Sequence, residues 1–139
     1  MTTIAIGIDP GVNTGVAVWD LSAQRFRDVA SMAAVDAMLL VELASRHNVI
    51  KVVRFEDANL RTGWFGANSR AKAQGAGSIK RECAIWRDWL KAHSIEALAV
   101  SPKDKGAKVD ADRFAKLTGW AGRTNEHARD AAMLVWGLK

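Results

Sequence analysis

The sequence predicts an α/β domain built on a mixed five-stranded sheet flanked by helices. Three observations carry this prediction. Residues 4–9 (IAIGID) alternate isoleucines with small residues and stop at Pro10-Gly11, the pattern of a buried strand ended by a turn. Two more short strand patterns follow at once, joined by brief connections, which makes an antiparallel opening. From residue 33 onward helical periodicity alternates with short apolar runs, the alternation that adds parallel strands to a sheet.

In the first strand the isoleucines share one face, and Ala5, Gly7 and Asp9 share the other. The small residues on the Asp9 face leave room for a ligand beside the carboxylate. An ionised Asp near the core is costly unless it is paired or holds a metal, although a strand-end Asp also commonly caps a turn. Residues 15–20 (GVAVWD) and 24–31 (QRFRDVAS) predict the second and third strands. Residues 33–47 predict a helix, because Val35, Leu39 and Leu43 recur every four positions, and Asn48 ends it.

Residues 49–56 (VIKVVRFE) predict a strand that again ends in a carboxylate, Glu56. Asp57 follows directly and points to the opposite face if the strand continues, so a structural role is expected of it. Residues 57–68 read as a loop holding the adjacent aromatics Trp64 and Phe65. Residues 69–92 predict a long helix with a core stripe of Ala76, Ile79, Cys83, Trp86 and Leu90. Ile85 and Trp89 lie off that stripe, and a second apolar strip on one helix points to a homodimer contact. Residues 95–101 predict the last strand and 102–109 a lysine-bearing loop. Residues 110–118 predict a short helix capped by Asp110 and stopped by Gly119, and 126–138 the closing helix.

A length of 139 residues bounds the chain to one domain, residues 1–139, large enough for a real core. No apolar run approaches the ~20 residues that span a membrane, and the opening lacks the sections of a signal peptide. The single cysteine, Cys83, excludes an internal disulfide and a Cys-based zinc site, and a cytoplasmic setting is the simplest reading. The net charge of +5 is unevenly placed. Residues 60–91 carry seven basic against two acidic residues, residues 101–123 six against three, and residues 1–59 five against seven. Basic segments in the second half point to a polyanion such as nucleic acid, the plain alternative being a solvated basic surface.

If the first and fourth strands are parallel neighbours, Asp9 and Glu56 meet at the carboxyl edge of the sheet, where open α/β sheets bind ligands. His127 and Asp130, at i and i+3, project from one face of the closing helix, while Glu126 is offset by ~100° and expected to face away. Three carboxylates repel one another unless cations are bound, and hard divalent cations prefer such oxygens. Asp9, Glu56 and Asp130, with His127 as a ligand or proton carrier, form a candidate site for two Mg²⁺ ions. Two ions roughly 3.5–4 Å apart can activate water against a phosphodiester and stabilise the leaving oxygen, with Asp9 bridging them. An isolated His at a helix start is more commonly hydrogen-bonded to backbone.

Taken together, IGIDPGVNTGVAVWD, VVRFEDA, SPKDKGAK and NEHARDAAMLVWG resemble the RuvC family of Holliday junction resolvases, within the ribonuclease H-like superfamily. The resemblance runs in order through nearly the whole chain. It implies a ribonuclease H-like form of the mixed sheet. It also implies catalytic metal ligands at Asp9, Glu56, His127 and Asp130, and a homodimer that needs Mg²⁺ or Mn²⁺. The implied activity cuts opposing strands of a four-way DNA junction symmetrically and leaves 5′-phosphates. DNA contacts are then expected from Arg70 and Lys72 on the long helix and from Lys103, Lys105 and Lys108 in the loop, with Lys105 and Lys108 foremost.

Two departures from the family pattern bear on selectivity. Asn59 stands where the enterobacterial branch has an aromatic wedge, with Trp64 and Phe65 further along as a replacement wedge or as a loop anchor. The stretch 102–112 is short. A broader debranching nuclease acting on flaps and forks is therefore the alternative, as is a non-catalytic subunit that binds branched nucleic acid. An RNA-directed nuclease is a further option within the superfamily. Sugar kinases and actin-like ATPases share the DxG turn but need two such domains around a cleft. A branch-migration helicase partner is not legible in the sequence, and a chain this compact suits a phage or prophage.

Overall fold

The computed structural model describes residues 1–60, 69–104 and 106–139, with the backbone alone for 69–76. Among the described residues the chain forms five strands and four α-helices. In chain order these are β1 (Thr3–Asp9), β2 (Asn13–Asp20), β3 (Arg25–Ala33), α1 (Ala34–His47), β4 (Val49–Glu56), α2 (Ser69–Ala92), β5 (Ala97–Val100), α3 (Ala111–Thr118) and α4 (Glu126–Met133). The strands form one mixed sheet in the order β3-β2-β1-β4-β5. The opening three strands are antiparallel, while β4 and β5 add in parallel. The expected class therefore holds, including the placement of β1 beside β4.

Alternation in β1 divides the core. Ile4, Ile6 and Ile8 pack with Val16, Val18, Val53 and Phe55 beneath α1 and α2, which supply Ala37, Val41, Trp86 and Leu90. Ala5 and Ala17 face the opposite layer, with Trp19, Phe26, Phe114 of α3 and Ala128, Ala131 and Ala132 of α4. Each face of the sheet is thus covered by a pair of helices.

Three local expectations differ. The Val35, Leu39 and Leu43 stripe that signals α1 is its exposed side, at 77%, 55% and 45% exposure. The buried face is Ala37 and Val41, half a turn away. The period identifies a helix but not which of two apolar stripes meets the sheet, and the smaller residues let the helix sit closer. On α2, Cys83, Trp86 and Leu90 are buried as expected, whereas Ile79 is 48% exposed. Of the second strip, Ile85 is exposed, while Trp89 packs partly against the core and stacks on His93. The last helix stops at Met133, and residues 134–137 continue as turns, ended by Gly137 with φ +78°. Leu134 and Val135 remain buried in those turns.

Candidate metal and nucleic-acid site

The site lies at the carboxyl edge of the sheet, under the N-terminal half of α4. Asp9 is the last residue of β1 and pairs in register with Gly15 of β2. The parallel register of β1 and β4 runs to Ile8 opposite Phe55, so Asp9 and Glu56 end neighbouring strands. Arg54 and Glu56 alternate with buried Val53 and Phe55 and share the α4 side of the sheet.

The floor under α4 is made by absence of side chains. A β-carbon on Gly7 would overlap the carbonyl of Ala131, and one on Gly15 would overlap the carbonyl of His127. The space left by the small residues beside Asp9, expected to admit a ligand, is occupied by the helix backbone itself. This close seat brings His127 to Asp9, with Nδ1 and Oδ2 3.2 Å apart. Asn125 caps the helix by accepting from the Ala128 amide at 2.9 Å. Arg129 ties it to the preceding chain, donating from Nε to the Val109 carbonyl and from Nη1 to the Thr124 carbonyl, each at 2.9 Å.

Asp130 stands one turn after Glu126 on α4, and Lys108 serves both. Its Nζ pairs with Glu126 and lies 3.7 Å from Asp130 Oδ2. Glu126, expected to face away, thus shares a cation with Asp130, because four residues return to nearly the same side of a helix. Lys103 is exposed. Trp64, Phe65 and Lys105 lie outside the described residues, as do the side chains of Arg70 and Lys72.

Asp57 is fully buried and structural. Its Oδ1 accepts from the Asn59 amide and from Asn59 Nδ2, both at 2.9 Å, and its Oδ2 lies 3.6 Å from Arg87 Nη1. Asn59 Nδ2 also donates to the Lys80 carbonyl at 3.1 Å. The position expected for a wedge is therefore a tie between the short turn after β4 and α2. Beneath that turn the Cys83 thiol lies 3.5 Å from the Glu56 carbonyl. Burial pushes its pKa up to about 11, and the nearby Asp57, Glu56 and Asp9 carboxylates add to the shift, against the Ala58 amide.

Among the described residues, no three His, Cys, Asp or Glu side chains stand close enough together to hold a metal ion in this arrangement. The donor set at the edge nevertheless fits Mg²⁺ or Mn²⁺ in kind: three carboxylates and an imidazole whose Nδ1 is already oriented by Asp9. Sequence reasoning overlooked Arg54, which donates from Nη1 to the Leu134 carbonyl at 3.2 Å. Its position two residues before Glu56, on the same strand face, was the available signal.

No protein-family model matches the sequence, and no curated protein matches it. The fold is similar to that of T. thermophilus RuvC in complex with a Holliday junction substrate, with a TM-score of 0.55 and 16% identity over 94% of this chain and 88% of that one. A second Thermus thermophilus RuvC structure aligns over 94% of this chain and 91% of its own, at 15% identity and a TM-score of 0.45. Over most of its length the chain therefore shares the fold of the junction-bound RuvC structure, a mixed five-stranded sheet flanked by helices. Among the described residues no helix is long and apolar enough to cross a membrane.

Proposed function

We propose that this protein is a Mg²⁺- or Mn²⁺-dependent endodeoxyribonuclease that resolves four-way DNA junctions in recombination and repair. The observation that carries this reading is the meeting of Asp9 and His127, 3.2 Å apart, at the edge where the neighbouring strand ends in Glu56. The fold's likeness to a RuvC structure solved with a Holliday junction supports the substrate class. Asp9, Glu56 and Asp130, with His127, would hold two metal ions. Bound there, the metals would supply an activated water and charge stabilisation at the leaving oxygen.

The chain's own groups do the rest. Asp9 orients the imidazole through Nδ1, which leaves Nε2 of His127 either to ligate a metal or to carry a proton at the reacting phosphate. Lys108, paired with Glu126 and near Asp130, would exchange these partners for a DNA phosphate entering the site. The basic stretches 60–91 and 101–123 attract the backbone electrostatically. A homodimer would place two such sites about a twofold axis, which suits paired nicks on opposing strands. Its contact would include the exposed Ile85 on α2, and Ile85→Glu would then shift sedimentation toward monomer.

One observation favours a broader second reading. The Asn59 side chain is tied to Asp57 and Lys80 rather than offered to DNA, so junction-specific wedging from that position is lost. Flaps and forks would then also be cut.

The deciding experiment is cleavage of labelled DNA in Mg²⁺, comparing a mobile four-way junction with a flap, a fork and plain duplex. Paired symmetric nicks confined to the junction, abolished by Asp9→Asn, are expected. Equal cutting of flaps and forks establishes the broader reading. Binding without cutting by the wild-type protein refutes the enzyme and leaves a binding subunit.

A further inference from the structure

Arg54 has no role in the reading above, yet its surroundings are those of the site. It belongs to β4 two residues before Glu56, and its register partner on β1 is Gly7, the residue on which Ala131 of α4 is seated. Nη1 donates to the carbonyl of Leu134, the residue that caps the C-terminal end of α4. A cation belongs there, because the last carbonyls of a helix lack partners within it and carry its negative dipole end. Arg54 Nε is also buried and has no hydrogen-bond partner among the described residues. The side chain lines a cavity of about 140 Å³ together with Asp104, Asp130 and Met133. A space of that size admits bridging water between guanidinium and carboxylate.

The seat of α4 explains why such a link matters. Ala128, Ala131 and Ala132 lie over glycines and alanines, so contact there sets the height of the helix above the sheet. Asn125 and Arg129 fasten the N-terminal half of the helix, and the bond from Arg54 fastens its C-terminal end to β4. Arg54 joins β4, which ends in Glu56, to the helix that carries His127 and Asp130.

We propose that Arg54 is a positioning residue: by its bond to Leu134 and across the cavity shared with Asp130, it sets the spacing between Glu56 and the α4 ligands. The proposal rests on the metal-dependent reading above and concerns how the ligand set is assembled. Loss of a group that orients metal ligands typically weakens metal affinity about 10–100-fold. A purely electrostatic role gives the opposite sign, since removing a nearby positive charge tightens cation binding.

The test is Mn²⁺ affinity of the metal-free full chain, measured by calorimetry or by electron paramagnetic resonance, with circular dichroism and melting as fold controls. Arg54→Met and Arg54→Gln both remove the guanidinium, so either that retains the fold serves. Affinity at least about tenfold weaker than wild type is expected, with Arg54→Lys in between. Equal or tighter affinity in a folded variant overturns the proposal. Asp9→Asn separates it from the reading it rests on. If wild type and Asp9→Asn bind Mn²⁺ alike, the metal site itself is refuted and Arg54 has nothing to position. If only the Arg54 variants match wild type, the metal reading stands and this inference alone falls.

Discussion

Gly15 lies directly beneath His127, so close that a β-carbon there would overlap the His127 carbonyl oxygen. Gly15 is also the register partner of Asp9. Together with Gly7 under Ala131, Gly15 therefore lets the helix sit down on the sheet and brings the imidazole to the carboxylate. Gly15→Ala is expected to lift the start of α4, costing roughly 3 kcal/mol because the obstacle is backbone and cannot rotate away. Cleavage should fall further than stability alone explains. Denaturant unfolding beside single-turnover cleavage checks this, and an unperturbed Gly15→Ala would mean that α4 has freedom to shift.

Asp57 and Glu56 are adjacent carboxylates with opposite duties. Asp57 is 2% exposed and satisfies two Asn59 donors. Asp57→Ala should cost about 1.5–3 kcal/mol by removing the charged, buried acceptor that holds the Asn59 amide and side chain in the turn. Metal affinity of the folded fraction should stay within about threefold of wild type, since the side chain is on the far face from the site. Urea melts and Mn²⁺ titration together test the division.

The Cys83 thiol carries a pH signature. Burial raises its pKa from 9.0 to about 11, and a raised acid pKa means that the folded state holds the proton more tightly. The associated stability is whole below pH 9 and is lost as pH rises toward 11. In metal-free buffer, wild type should lose roughly 2–3 kcal/mol more than Cys83→Ala over that window. Parallel slopes of stability against pH for the two proteins would show that the thiol does not titrate as described.

Lys108 is poised between two carboxylates and the polyanion expected at the site. Lys108→Ala should weaken DNA binding on all sequences and reduce the slope of log affinity against log salt by about 1. Glu126→Gln removes one anchor of the lysine and should leave that slope unchanged. A slope unaltered in Lys108→Ala would confine the residue to its pairs with Glu126 and Asp130.

The fold was largely legible in the sequence because local patterns report it directly. Alternation in IAIGID marked a strand with two unlike faces, and the helical periods in residues 33–47 and 69–92 marked the helices. Strand-end carboxylates at Asp9 and Glu56, and the i, i+3 pair on α4, marked one edge of the sheet as the candidate site. These signals need only neighbours in sequence, so the sequence alone determined the mixed sheet and the candidate acidic residues.

Tertiary structure decided what depends on partners far along the chain. Period four in α1 did not reveal that Ala37 and Val41, rather than Leu39 and Leu43, meet the sheet, because that choice belongs to the sheet's shape. Gly7 and Gly15 read as small residues with space beside them; only the folded chain shows α4 filling that space. Lys108 read as a free phosphate contact, yet its charge is drawn to Glu126 and Asp130. Arg54 passed as a strand residue until the end of α4 arrived beside it, 80 positions away in sequence. Side-chain type is encoded locally, but which charges and surfaces neutralise one another is a property of distance in space, and only packing sets that distance.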